Sequence, residues 1–225
     1  MAEGHRKRVS QRFTEENIDT IPDYVVIEKL LHGVIQRRDT GAMARELIRQ
    51  FGGIPQIVDA PVEELMKIPG IGETAANFIK FVPLFYRRYA TDKYDKPMIF
   101  NDPDVAARYL TEKFIGYESE TLMVLCMDSN CRMIACRPLS EGDTDSVDIN
   151  IRKILKFSIS FDSARIILAH NHINGNAIPS QDDILATNRI AKSLREVGIM
   201  LDDHIIVSGG DCISMRQSGY FNLIK

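Results

Sequence analysis

Residues 165–183 read RIILAHNHINGNAIPSQDD and join a strand-like segment to a helix-like one. The first five residues, RIILA, are a short apolar run of the kind that favours a buried β-strand. Alternation along a strand turns His170 and His172 to the same face. After a loop rich in asparagine and glycine, a helical pattern begins at Ser180. The stretch therefore predicts a strand, a loop and a helix, with Asp183 in the first turn of the helix.

Three side chains of this stretch, His170, His172 and Asp183, have the chemistry of metal ligands. A catalytic zinc site has three N, O or S ligands from the protein and one open position for water. Two imidazoles and a carboxylate suit zinc better than calcium or magnesium, although iron, manganese, cobalt and nickel accept the same ligands. We therefore predict one divalent ion, with zinc as the first choice.

Each part of this pattern also has a structural interpretation. Two histidines on one strand face can be an incidental pair, and Ser180 followed by Asp183 is close to a helix capping box. The joint spacing H-x-H-x7-S-x2-D favours a metal site, because it falls on a strand end and a helix start that can face each other. The two interpretations are compatible, since Ser180 can cap the helix and still present its hydroxyl near the metal.

The same spacing resembles the motif of the JAB/MPN (JAMM) metalloproteases, and HNH...GN..PS..D is similar to their bacterial RadC branch. The resemblance continues through residues 120–128 and through residues 201–207, LDDHIIV, which are similar to two strands of that family. It implies that Glu120 is the general base and that the Ser180 hydroxyl donates to the oxyanion. Glu118, two residues earlier, is the alternative base, and a solvated charge at the strand entry is the structural alternative for Glu120.

Two segments depart from the family pattern. The family's HNHPSG reads HNHING at residues 170–175, and its His-Pro-Arg segment reads Asn150-Ile151-Arg152. Both departures leave the proposed ligands and the proposed base in place.

The resemblance implies a zinc-dependent metallopeptidase or isopeptidase whose substrate is an unidentified protein or peptide. In such a site a zinc ion lowers the pKa of bound water toward about 7, the base takes the proton, and a hydroxyl donor stabilises the oxyanion. Two alternatives stay open. One is a DNA repair-associated, DNA-binding scaffold with a non-catalytic metal site, and the other, which the superfamily's chemistry disfavours, is a metal-dependent nuclease.

The order of elements predicts an α/β (α+β) protein with two domains. Residues 1–95 are helical in pattern, and residues 102–225 mix strands with helices, which with the resemblance predicts a JAB/MPN-type mixed sheet packed between helices. The polar stretch at residues 89–101 is interpreted as the linker. The predicted helices lie at about 24–31, 41–51, 62–66, 103–113, 150–160 and 181–197, and the predicted strands at 120–127, 131–138, 165–170, 204–208 and 211–215.

Residues 65–76, LMKIPGIGETAA, have the pattern of a helix-hairpin-helix. Gly70 and Gly72 allow a tight turn with exposed amides, and the helix that starts near Thr74 directs the positive end of its dipole the same way. Such a turn can hold a DNA phosphate without reading the base sequence. A plain αα-hairpin used for packing is the alternative, since Glu73 lies where a cation would help a phosphate.

Charge does not decide whether this region binds DNA. Residues 1–95 carry equal numbers of basic and acidic side chains, unlike a strongly basic nucleic-acid binder. The best candidate patch is the cluster of His5, Arg6, Lys7, Arg8 and Arg12, in which Arg6, Lys7 and Arg8 are the predicted DNA contacts. A solvated terminal tail is the structural alternative.

Composition favours a cytoplasmic protein. The chain has a formal net charge of −3 and lacks an apolar run long enough for a membrane span or the core of a signal peptide, so we expect no membrane partner. Its four cysteines have neither CxxC spacing nor the density of a disulfide scaffold. Buried, reduced thiols are therefore expected, with a second zinc site built from cysteines as the minor alternative.

Overall fold

The computed structural model describes residues 2–36, 38–93, 98–141, 147–173 and 175–220. The chain divides into two compact units, Met1–Tyr86 and Arg87–Lys225. The first unit is helical and the second is built on a five-stranded mixed sheet. The predicted fold class, an N-terminal helical region followed by a sheet domain, is therefore confirmed. Within the described ranges, no helix combines the length and the apolar character needed to cross a membrane.

The first unit contains the three helices that the hydrophobic pattern predicts, each within about two residues of its predicted limits. Two others, α1 and α4, are not expected from that pattern. In α1 most side chains are charged or polar and Val9 is the buried apolar residue, so its apolar face is too narrow to give a periodic signal. The helices are α1 (Ala2–Glu15), α2 (Asp23–His32), α3 (Thr40–Phe51), α4 (Ile54–Asp59), α5 (Val62–Leu65) and α6 (Glu73–Asp92), with a 3-10 turn at Ile18–Thr20. The helix α6 is the one expected after the hairpin, and its residues from Arg87 onward are assigned to the second unit.

The predicted linker at residues 89–101 is replaced by regular structure at both of its described ends. α6 continues into its first residues. At the other end Met98 and Phe100 are buried in the core of the second unit, and backbone hydrogen bonds pair this segment with residues 131–133. Apolar burial therefore overrides the polar composition that suggested a linker. Residues 94–97 lie outside the described residues.

The second unit places helices on both faces of one sheet. Its strands run in the order β2-β1-β3-β4-β5, with β3 and β4 parallel and the other pairs antiparallel. The sequence positions of all five strands and of the helices agree with the predictions to within a few residues. The elements are α7 (Pro103–Phe114), β1 (Thr121–Met127), β2 (Met133–Glu141), α8 (Val147–Ser160), β3 (Arg165–Asn171), α9 (Gln181–Glu196), β4 (Met200–Ser208) and β5 (Asp211–Ser214).

Alternation along the strands divides the core of this unit into two layers. On β1, Met123 and Leu125 face α7, whereas Val124 and Cys126 face α8 and α9. The same alternation on β3 sends Leu168 to the α8 and α9 layer. Central strands buried on both faces need continuous apolar sequence, which is why β1 and β3 have so few polar residues.

Candidate metal centre

β3 brings two histidines to one end of the sheet. Ile166 and Leu168 pack against α8 and α9, and the two-residue repeat of the strand puts His170 on that same face. His172 follows the strand directly, and its amide donates to the Val207 carbonyl at 2.8 Å, which keeps the chain extended beside β4. The imidazole centroids of His170 and His172 are 4.8 Å apart. Both rings therefore face the layer that contains α9.

The N-terminus of α9 fixes the third side chain. Ser180 is the N-cap, and its Oγ accepts a hydrogen bond from the Asp183 amide at 3.1 Å. In return Oδ2 of Asp183 accepts from the Ser180 amide at 2.7 Å and from the Ser180 hydroxyl at 2.6 Å. The capping box that the sequence allowed is thus present, and it leaves Oδ1 of Asp183 facing His170. Capping and metal ligation use different parts of the same carboxylate.

The three predicted ligands converge. Nε2 of His170 is 3.3 Å from Oδ1 of Asp183, Nε2 of His172 is 3.6 Å from Oδ2, and the two Nε2 atoms are 2.9 Å apart. One ligand atom from each residue lies within 4.8 Å of the others. Ligands at about 2.0–2.1 Å from a tetrahedral zinc ion are about 3.3 Å from one another. The two separations measured from Nε2 of His170, 3.3 Å and 2.9 Å, are within about half an ångström of that value. The 3.6 Å contact of His172 is to the other carboxylate oxygen, Oδ2, so sharing one oxygen of Asp183 requires a side-chain adjustment.

Burial and local charge set the protonation of two of these groups. Burial lowers the pKa of His170 from 6.5 to about 4, against the opposing attraction of the Asp183 carboxylate. Burial alone would raise the pKa of Asp183, but His170 and the hydrogen bonds from Ser180 outweigh it and hold that pKa below its ordinary value. A neutral imidazole and an ionised carboxylate are the forms that ligate a metal, so His170 and Asp183 have the required forms near neutral pH.

The outer ring nitrogens of both histidines also have partners. Nδ1 of His172 donates to the Asn176 carbonyl at 3.2 Å, because a carbonyl oxygen can only accept. Nδ1 of His170 lies 2.9 Å from Nε2 of His204, and Nδ1 of His204 lies 2.6 Å from Oγ1 of Thr187. His204 is both buried and hydrogen-bonded to a ligand.

Thr187 was not expected to belong to the site. The signal that could have found it is helical spacing, because Thr187 lies one turn after Asp183 and so on the same face of α9. A threonine at that position with a buried histidine on the neighbouring strand is a hydrogen-bonding pair that only the tertiary structure brings together.

Glu120, the predicted base, comes directly before β1 and is exposed. β1 pairs with β3 so that Leu122 is opposite His170, and continuing this register by two residues puts Glu120 opposite His172. Glu120 and Leu122 also share the strand face that packs toward α9. The extrapolated register therefore predicts that Glu120 lies beside His172, and its assignment over Glu118 as the base stays a prediction.

Asn171, between the two histidines, holds the segment around Glu120. Its side chain points to the opposite face, where Oδ1 accepts from the Thr121 amide at 2.7 Å and Nδ2 donates to the Ser119 carbonyl at 3.1 Å. Asn171 is 5% exposed. Both residues that flank Glu120 are therefore attached to the strand that contains the ligands. This clamp was not expected from the sequence, because it depends on the pairing of two strands far apart in the chain.

The hydroxyl of Ser180 is already engaged. Its single proton is directed to Oδ2 of Asp183, so donation to an oxyanion would require the hydroxyl to rotate. The proposed oxyanion role of Ser180 stays a prediction.

The predicted hairpin lies between α5 and α6. Gly70 has φ of 94°, in the left-handed region, and a Cβ at this position would lie 2.3 Å from Cε of Met43. Gly72 and Thr74 are exposed at the start of α6. The turn therefore needs glycine at position 70 for its conformation, and a Cβ there would displace the end of the flexible Met43 side chain. Contact with DNA stays a prediction.

The basic cluster is helical, not a loose tail, because it lies within α1. The guanidinium of Arg6 donates to the carbonyl of Ile35 at 2.6 Å and, at longer distances, to those of His32 and Arg38. It caps the carbonyls that follow α2 and is partly used inside the first unit. Lys7 and Arg8 are exposed. Of the three basic residues predicted to contact DNA, Arg6 is therefore the least available.

The four cysteines are free thiols, and they differ in burial. Cys126 is buried as expected, but Cys131 and Cys136 are half-buried and Cys212 is exposed. The expectation of buried thiols is therefore wrong for Cys212, which lies on the edge strand β5.

Comparison with known proteins identifies the family of the chain. Residues 100–220 match the family model described as RadC-like JAB domain. A UPF0758 protein of Fusobacterium nucleatum is 33% identical, with 96% of this chain and 97% of the relative covered. UPF0758 proteins of Ruegeria pomeroyi and Idiomarina loihiensis are 31% and 29% identical, each over at least 95% of both chains. The chain therefore belongs to the RadC-like JAB domain family.

Proposed function

We propose that this protein is a metal-dependent amide hydrolase, a peptidase or isopeptidase, that uses one zinc ion held by His170, His172 and Asp183. The observation that carries the proposal is the convergence of these three side chains from the end of β3 and the start of α9. They come from elements anchored in the core of the second unit. Three protein ligands leave one tetrahedral position for a water molecule or a substrate oxygen, as in catalytic zinc sites.

The donor set supports zinc over the hard cations. Calcium and magnesium prefer all-oxygen ligands, whereas two imidazoles and a carboxylate suit zinc and its transition-metal neighbours. When bound, zinc would supply a Lewis acid that acidifies a water ligand and polarises the substrate carbonyl. Burial of His170 keeps its imidazole neutral near pH 7, and ionised Asp183 offsets part of the positive charge.

Glu120 is proposed to accept the proton of the attacking water and to return it to the leaving amine. This role is supported by the β1–β3 register, which puts Glu120 opposite His172 when it is continued by two residues, and by the attachment of both neighbours of Glu120 to Asn171. A base must stay within hydrogen-bond reach of the water through the reaction, and a clamped backbone favours that. Ser180 is proposed to donate to the developing oxyanion after its hydroxyl turns away from Asp183.

The proposed function is tested by metal content and hydrolysis measured on the same samples. Wild type and Glu120→Gln are purified, zinc is measured by mass spectrometry, and both are incubated with quenched fluorescent peptides and with lysine-branched peptides that contain an isopeptide bond. We expect equal zinc in the two proteins, hydrolysis by wild type that a chelator abolishes, and at least about a hundredfold lower rate in the variant. Glu118→Gln is the matched control and should keep its activity.

Several outcomes would contradict the proposal. Wild type that binds less than stoichiometric zinc under saturating conditions would remove the metal site. Hydrolysis that is lost in Glu118→Gln and kept in Glu120→Gln would move the base to Glu118. Full zinc content without hydrolysis of either peptide class, together with salt-sensitive binding of nicked or branched DNA by both wild type and Glu120→Gln, would favour the non-catalytic scaffold.

A further inference from the structure

A chain of three hydrogen bonds runs from a metal ligand back to the main chain of α9. Nδ1 of His170 is 2.9 Å from Nε2 of His204, Nδ1 of His204 is 2.6 Å from Oγ1 of Thr187, and this oxygen is 2.6 Å from the Asp183 carbonyl. His204 is 4% exposed and Thr187 is 0% exposed. The two intermediate residues are thus shielded from solvent, and their hydrogen-bonding groups are used by one another.

The positions of the protons in this chain follow from its last member. A carbonyl oxygen only accepts, so the hydroxyl proton of Thr187 lies toward Asp183. The Sδ atom of Met215, 3.7 Å from the same hydroxyl, is a weaker and more distant acceptor. Since the hydroxyl has one proton, its oxygen accepts from Nδ1 of His204. In the neutral ring of His204 the Nε2 atom then has a lone pair, and Nδ1 of His170 lies 2.9 Å from it, in position to donate.

We propose that Thr187 and His204 are positioning residues that hold His170 in the tautomer whose Nε2 lone pair faces the metal position. The inference rests on the proposed zinc site, because the Nε2 tautomer matters only if that nitrogen binds an ion. Asp183 then acts twice, since its carboxylate is a ligand and its main-chain carbonyl fixes the tautomer of another ligand. Neither Thr187 nor His204 touches the substrate in this scheme.

The second histidine reaches the same state by a simpler route. Nδ1 of His172 donates to the Asn176 carbonyl, so its lone pair is also on Nε2. The two Nε2 atoms, 2.9 Å apart, face a common region beside Asp183. Without an ion this contact is a hydrogen bond in which one of the two nitrogens has a proton, and that proton has to leave when both nitrogens bind an ion. A main-chain carbonyl in a loop orients His172, and the buried relay of His204 and Thr187 orients His170. Substitution of a side chain can remove the relay.

The experiment compares Thr187→Val with Thr187→Ser in the full chain. Valine keeps the shape of threonine and removes the hydroxyl, whereas serine keeps the hydroxyl and removes a methyl group. We expect zinc affinity, measured by competition with a chromophoric chelator, to fall about 10- to 100-fold in Thr187→Val and to stay within about threefold of wild type in Thr187→Ser. A role in packing alone predicts the reverse order, because only the serine variant leaves a cavity.

A second measurement reads the tautomer directly in metal-free protein. Long-range proton–nitrogen correlation spectra of ¹⁵N-histidine-labelled wild type should show the proton of His170 and of His204 on Nδ1, and Thr187→Val should shift His170 toward the other tautomer. His204→Gln, whose amide oxygen can still accept from His170, should keep more zinc affinity than His204→Leu.

The outcomes separate the two proposals. If wild type shows the predicted tautomers but binds no zinc, the proposed metal site is contradicted and the proposed hydrogen-bond relay is supported. Zinc binding with equal affinity and unchanged tautomers in both Thr187 variants would overturn the relay and leave the metal site standing.

Discussion

Acidifying the metal-free protein should destabilise its second unit, and substitution of His170 should remove much of that effect. The pKa of His170 is lowered by burial from 6.5 to about 4. The unfolded chain therefore binds a proton at His170 between about pH 6.5 and pH 4 that the folded chain does not bind. By linkage, the stability associated with the neutral ring is complete above pH 6.5 and is lost as the pH falls toward 4.

The size of the effect follows from the pKa difference. Each pKa unit corresponds to about 1.4 kcal/mol, so the loss approaches about 3 kcal/mol by pH 4. The side chain of His170 is 14% exposed, so solvent screening removes little of this value. Three kcal/mol is a large part of the about 5–15 kcal/mol that ordinarily stabilises a domain, and the change should be measurable without complete acid unfolding.

The assay has to report on the second unit alone, because the chain has two units. Met123 and Met127 are buried in that unit, at 1% and 0% exposed, so their oxidation by peroxide as urea is increased follows its unfolding. The free energy of unfolding is compared at pH 7 and at pH 4, in the presence of a chelator, for wild type and for His170→Gln. We expect the pH-dependent loss to be smaller in His170→Gln by about 3 kcal/mol. Parallel losses in the two proteins would refute the buried, neutral state of His170.

Three further predictions test other parts of the structure. Asp183→Asn should lower zinc affinity at least about tenfold, because it removes the anionic ligand, and should keep the fold, because it preserves the shape of the side chain. Chelator competition measures the affinity and circular dichroism the fold. An unchanged affinity would exclude Asp183 from the site. Asn171→Leu should destabilise the second unit by about 1–3 kcal/mol in urea unfolding, because the buried Thr121 amide loses its acceptor, and a stability equal to wild type would show that the clamp contributes nothing. Gly70→Ala should destabilise the first unit by more than about 1 kcal/mol, because position 70 has a positive φ and the new Cβ would meet the end of the Met43 side chain. Gly72→Ala has open space at its Cβ and should change stability little. Equal effects of the two substitutions would contradict the strained turn.

Much of the site was accessible from the sequence because its signals are local. The two-residue repeat of a strand decides that His170 and His172 share a face, and the capping preference of a helix start decides where Asp183 sits in its first turn. Periodicity within short windows likewise predicts β1, β3 and α9 to within about two residues. These features depend on neighbours a few positions away, and such neighbours are readable in one chain.

The linker and the first helix were not predictable in this way. Residues 98–100 have a polar context, yet Met98 and Phe100 are buried because the segment pairs with residues 131–133. α1 has too narrow an apolar face to be distinguished from a charged tail by periodicity. In both cases burial against distant parts of the chain decides the structure, and local propensity does not report it.

The sequence by itself determined which elements form in the second unit and which three side chains have the chemistry to bind a metal. Only the tertiary structure decided that strand β3 and helix α9 bring them within ligand distance of one another. It also decided the partners of His204 and Asn171, since these hydrogen bonds join residues 34 and 50 or more positions apart. The physical reason is that hydrogen bonds between buried groups depend on which elements pack together, and packing is set by the whole core at once.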